Sequence, residues 1–142
     1  MRRKNQKGQA IVEFAIVLPV ILILLLGMLE WGFLMWTQTT FSNAVREGAR
    51  EAVVINDWST NYSTRENEVK NIVINRMASL PAAQKEDIAG RITIVFAPSL
   101  ANARSIRVAI SNQPYRSMVG FSRFGIPETL TVSSEFRYER AN

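Results

Sequence analysis

The 142-residue sequence contains no cysteine and no histidine. Their absence removes disulfides, thiolate nucleophiles, the usual zinc sites and every histidine general base. No Gly-rich phosphate loop is present, nor any internal repeat or low-complexity tract. Neighbouring carboxylates such as Glu66/Glu68 and Glu86/Asp87 have no orienting base beside them and read as solubilising surface. The expectation is therefore a protein with no catalytic residues, no cofactor and no metal site.

Cationic clusters are also scarce once the first residues are set aside. The formal net charge is +5, but Arg2, Arg3, Lys4 and Lys7 supply four of the 17 Lys/Arg, leaving 13 against 12 Asp/Glu in the rest of the chain. Phosphate binding needs clustered cations in the folded domain, so nucleic acid is not an expected partner. The length allows one membrane segment and one small domain, since compact domains run to about 100–150 residues.

What the chain does have is a long apolar run. From Ala10 to Trp36 only Glu13 and Glu30 are charged, and about 20 apolar residues suffice to cross the hydrocarbon core. A buried core helix would show a polar face, whereas Leu22–Leu26 is apolar all round. A secretory signal has an apolar region of only about 7–15 residues ending at a small-residue cut site, and none follows here. Four cations precede the span and the next charges are Arg46 and Glu47, so the positive-inside rule puts the N-terminus in the cytoplasm and the C-terminal part outside. Trp31 and Trp36 fall where interfacial anchors belong. The partition expected is 1–8 as a basic leader, 9–36 as a transmembrane helix, and 37–142 as an extracytoplasmic domain.

Gly8, with Glu13 and Phe14 at the fifth and sixth positions beyond it, resembles the G/XXXXE[F/Y] signal of type IV prepilins of the Flp class. The longer string Gly8-Gln9-Ala10-Ile11-Val12-Glu13-Phe14-Ala15, then Leu18-Pro19, Gly27-Met28-Leu29-Glu30-Trp31-Gly32 and Asn43-Ala44-Val45-Arg46-Glu47-Gly48-Ala49-Arg50, resembles the TadE family. That family consists of pseudopilins of the tight-adherence (Flp pilus) machinery. The resemblance implies cleavage between Gly8 and Gln9 by a prepilin peptidase. It also implies partnership with other pilin or pseudopilin subunits and the Tad inner-membrane complex, and a location in the bacterial inner membrane or in the pilus itself. The implied role is a minor pilin or pseudopilin. The alternative is an uncut, single-pass membrane-anchored accessory or ligand-binding domain.

The acidic residues of the span have a physical logic of their own. A carboxylate inside the bilayer costs about 2.5 kcal/mol or more and seeks a partner. Cutting after Gly8 would delete the leader's cations and create an amine at Gln9, one helical turn before Glu13, able to meet that carboxylate in the same chain or in an offset neighbour. The alternative is that Glu13, about 9 Å from Lys7 along a helix, reaches the interface unpaired. Glu30 lies roughly 25 Å further on, near the outer interface, where a carboxylate reaches water; packing against a basic or polar partner is the sharper reading. Pro19 removes one backbone hydrogen bond and makes a candidate kink or hinge.

Beyond the bilayer the pattern predicts a continuing helix, about 45 residues in all. Phe41, Ala44, Val45, Gly48, Ala49, Ala52 and Val53 form one face and Arg46, Glu47, Arg50 and Glu51 the other. Gly48 is a candidate close-packing position. Polar residues 56–62 break that helix, and Ser63-Thr64-Arg65-Glu66 has capping-box spacing for a second, striped by Val69, Ile72, Val73 and Met77 and closed by Pro81. Residues 81–90 read as loop with a helical turn near Glu86. Alternation around Ile92–Phe96, Ile106–Ile110 and Leu130–Tyr138 predicts three strands of an antiparallel sheet, one face on the helices and the other polar. The fold expected is α+β, pseudopilin-like. The connection from Asn112 to Pro127 is long and apolar and reads as a cover for the sheet; the alternative is a contact surface for neighbouring subunits, with Tyr115, Met118, Phe121 and Phe124 as candidate partner contacts.

Overall fold

The computed structural model describes residues 6–55, 58–100, 103–120 and 125–137. Helix α1 runs Gln6–Val54, α2 Tyr62–Arg76, and the short α3 Ile88–Arg91 follows a 3-10 turn at Ala82–Lys85. Strands β1 (Ile92–Ala97), β2 (Ser105–Pro114) and β3 (Thr129–Arg137) form an antiparallel sheet in the order β1-β2-β3. The fold is thus α+β, with a long apolar N-terminal helix, a second helix and a three-stranded sheet.

The chain divides into two compact units, one from Met1–Phe33 with Ser117–Ile126, the other from Leu34–Arg116 with Pro127–Asn142. In the first, the apolar side chains from Ile11 to Leu25 are exposed. An apolar surface of that extent has no place in water. Among the described residues, α1 is the one helix long and apolar enough to cross a membrane.

In the second unit, α1 turns an apolar face inward. Leu34, Phe41, Ala44, Val45, Ala49 and Ala52 are buried, as are Val69 and Val73 of α2, Met77 at its C-cap, and Ile92, Ile94, Ile106, Val108, Ile110, Leu130 and Val132 of the sheet. The small residues of α1 let α2 and the sheet approach closely. A Cβ built on Gly48 would collide with Val73 Cγ2 and lie 3.6 and 3.7 Å from Val69 Cγ1 and Val108 Cγ1. Outside this core Arg76 of α2 pairs with Glu47 of α1 at 2.9 Å. Trp58 donates its indole N–H to the Ala52 carbonyl at 2.9 Å, satisfying one orphan acceptor at the end of α1. The Trp58 ring meets Phe96 edge-on at 5.0 Å, and Tyr62 stands 5.9 Å from Trp58. Burial raises the Tyr62 hydroxyl above its ordinary value, and the Glu66 charge adds to the shift.

Two local expectations are corrected. The second helix starts at Tyr62, with Asn61 as N-cap and no side-chain cap bond. Its first turn is closed by Arg65 N–H on the Asn61 carbonyl at 3.0 Å, so Ser63 lies inside the helix and Glu66 pairs with Lys70 at 2.7 Å instead of forming a box. The second strand also runs further than its alternation shows. A register shift between Ile110 and Gln113, with Asn112 at φ 53°, inserts a bulge, and pairing resumes at Gln113↔Leu130 and Pro114↔Thr129. The Asn112 N–H, displaced from the ladder, bonds Thr131 Oγ1 at 3.1 Å.

The sheet's outer face carries Thr93, Val95, Arg107, Thr131, Ser133 and Glu135. There Ser105 Oγ donates to Glu135 at 2.6 Å and Arg107 Nη2 at 2.7 Å. The Ser105 hydrogen bond, then the Arg107 bonds, hold the Glu135 carboxyl below its usual range.

Candidate assembly and membrane-interface site

Gly8, Gln9, Glu13 and Phe14 all lie in α1, where the helix is exposed all round. The Gln9 side-chain amide donates to Glu13 Oε1 at 3.0 Å, one turn apart. Nothing stands within 4 Å of where a Gly8 Cβ would be, so the glycine is not required by packing within this chain. Phe14 is also exposed. Helix α1 continues through Pro19 without interruption.

Glu30 is the singular residue of the span. It is 0% exposed, while its neighbours Leu29 and Trp31 are 63% and 50% exposed. Its carboxylate accepts the Met118 N–H at 3.2 and 3.0 Å on its two oxygens and the Val119 N–H at 2.9 Å. The expectation that this carboxylate reaches water is thereby overturned. Two backbone N–H donors are among its partners. Hydrogen bonds to a charged acceptor contribute about 1.5–3 kcal/mol each, against about 2.5–3.5 kcal/mol for an acidic side chain at the bilayer centre. Two donors therefore offset the cost of hiding the group. Ser117 Oγ accepts the Gly120 N–H at 2.8 Å and closes the turn; at φ 84° Gly120 occupies the backbone region that favours glycine.

Of the other candidate contact residues, Tyr115 is buried, with its N–H on the Glu128 carbonyl at 2.8 Å, and Met118 is 68% exposed. Phe121 and Phe124 lie outside the described residues. Gly48 is enclosed in the core.

A polar network that the sequence did not advertise joins the turn after α2 to the end of β2. Gln84 donates to the Arg116 carbonyl and accepts the Arg116 N–H at 3.2 Å. Gln113 donates to the carbonyls of Gln84 and Glu86 at 3.1 and 3.0 Å. Both glutamines are buried, yet Gln84 precedes Lys85-Glu86-Asp87 and Gln113 follows Ser111-Asn112, so their polar sequence surroundings gave no sign of it. A hollow of about 170 Å³ beside them is lined by Glu86, Asp87, Arg91, Gln113 and Arg116. Its Arg116 and Glu86 pair with each other at 3.0 Å. Among the described residues, no cluster of acidic side chains is arranged to hold a metal ion.

An α+β domain preceded by a long apolar helix, with bonded polar groups at both ends of the apolar stretch, defines a class of chain with a folded domain on an N-terminal membrane-type helix. More specifically, residues 8–50 match the family model described as TadE-like protein, the family whose motifs the sequence resembles. No curated protein and no solved structure matches the chain. The TadE-like match lies within α1 and does not extend to α2 or the sheet.

Proposed function

We propose that the protein is a minor pilin or pseudopilin of a Tad (Flp) type IV pilus or a related secretion machine. It is made as a precursor in the bacterial inner membrane, with its N-terminus cytoplasmic and its folded domain extracytoplasmic. A prepilin peptidase cuts it between Gly8 and Gln9, and it acts in assembly by packing α1 against other pilin subunits within the Tad inner-membrane complex, with no catalytic step of its own.

The observation that carries this reading is the TadE-like match over residues 8–50, which contains the whole Gly8…Glu13-Phe14 signal and both membrane carboxylates. The exposure of residues 8–14 around the helix supports it, because a peptidase must reach that backbone and a neighbour must reach that face. Glu13 has one partner on its own helix, the Gln9 amide. Cutting after Gly8 would place a charged amine on the same residue, turning a neutral partner into a cationic one for Glu13 of this chain or of a stacked neighbour.

The test is piliation in cells carrying Glu13→Ala, with the level of the protein in the membrane measured alongside. The expected outcome is loss of pili with an undiminished membrane level. Normal piliation by Glu13→Ala would overturn the assembly role.

A further inference from the structure

We infer that the turn Ser117–Gly120 is a membrane-seated element, held by Glu30 at the outer boundary of the bilayer with Met118 turned toward the lipid. The inference rests on the reading of α1 as a membrane span.

Depth comes from helix geometry. Ala10 to Glu30 rises about 30 Å at 1.5 Å per residue, which is the thickness of the hydrocarbon core. With the leader's cations on one side, Glu30 falls at the opposite edge. Its bonds of 2.9–3.2 Å to the Met118 and Val119 N–H groups fix the turn at that same depth.

The surface around it is inverted relative to one facing water. The carboxylate is hidden at 0% exposure, whereas Met28, Leu29, Trp31 and Met118 are 70%, 63%, 50% and 68% exposed. A polar group inside and apolar groups outside is what an apolar surround selects. The turn's backbone meets the same demand. Its three consecutive N–H groups at 118, 119 and 120 all find acceptors within the protein, on Glu30 and Ser117 Oγ. Backbone entering a water-poor interface must be satisfied internally in this way. The exposed Met118 then adds to the lipid-facing apolar surface at the depth of Glu30, where the exposed Trp31 is the next residue of α1.

The absence of cysteine makes the test direct. Met118→Cys, Leu22→Cys and Ser133→Cys are each spin-labelled in the full chain reconstituted in phosphatidylethanolamine/phosphatidylglycerol vesicles, and collision with oxygen is compared with collision with a water-soluble nickel chelate. Position 118 is expected to collide with the chelate several-fold less than position 133, and Glu30→Leu added to Met118→Cys is expected to return it to the value at 133. Equal chelate access at 118 and 133 overturns the inference while a protected Leu22→Cys keeps the anchor reading intact. An unchanged 118 signal with Glu30→Leu overturns Glu30 as the tether. Chelate access at position 22 overturns the span and the seated turn together.

Discussion

Gly48 shows how one hydrogen atom in place of a methyl group sets the approach of two helices. Alanine there gains up to about 1 kcal/mol of helix propensity. It must, however, displace Val73, a β-branched side chain with little rotamer freedom, and overpacking of this kind costs about 1–3 kcal/mol. The balance predicts that Gly48→Ala destabilises the folded domain by about 1 kcal/mol, read as a lower denaturation midpoint with unchanged denaturant slope. Trp58→Phe keeps most of the ring but removes the donor to the Ala52 carbonyl, and should cost roughly 0.5–1.5 kcal/mol in the same assay. At Glu135 the folded carboxyl titrates below its ordinary 4.5 because the charged form is bonded by Ser105 and Arg107. Its contribution is therefore present above the unfolded value and is lost as pH falls through the depressed folded one. Carbon NMR titration should show the Glu135 carboxyl moving up toward 4.5 in Ser105→Ala. No change would contradict the assignment of the Ser105 bond as the main cause.

Elements differ in how far the sequence disclosed them, and the reasons are physical. The inner face of α1 was legible because Phe41, Val45 and Ala49 recur at helical spacing. The three strands were legible because their buried and exposed residues alternate. The last part of β2 was not, since the bulge at Asn112 breaks the period of two that reveals a strand. The start of α2 was misplaced by a capping pattern whose glutamate found a lysine one turn on. Glu30 stood out as a lone carboxylate in an apolar run. The two N–H groups that bond it did not, because they belong to backbone 88 and 89 residues away and any residue could have supplied them. Pro19 belongs to this scale as well. The structure carries α1 through it unbroken, and a hinge role in extraction from the membrane predicts fewer pili in Pro19→Ala at an equal membrane level. Equal piliation would contradict the hinge.

For the molecule as a whole, one continuous helix serves two solvents. Its first part exposes apolar side chains on every side, and its second part buries one face in an α+β core whose own outer surface is polar. The composition already implied this division, because the charge-poor stretch ends near Trp36 and mixed charge resumes at Arg46. The buried carboxylate at one end holds the turn of residues 117–120, and the processing-type signal at the other is the feature on which the proposed assembly role depends. The central claim is that residues 1–8 are removed to make that subunit. It is tested by the intact mass of the protein extracted from membranes of cells with and without the prepilin peptidase. The account predicts a chain beginning at Gln9 only when the peptidase is present. A chain that keeps residues 1–8 in both strains would contradict it and leave an uncut membrane anchor.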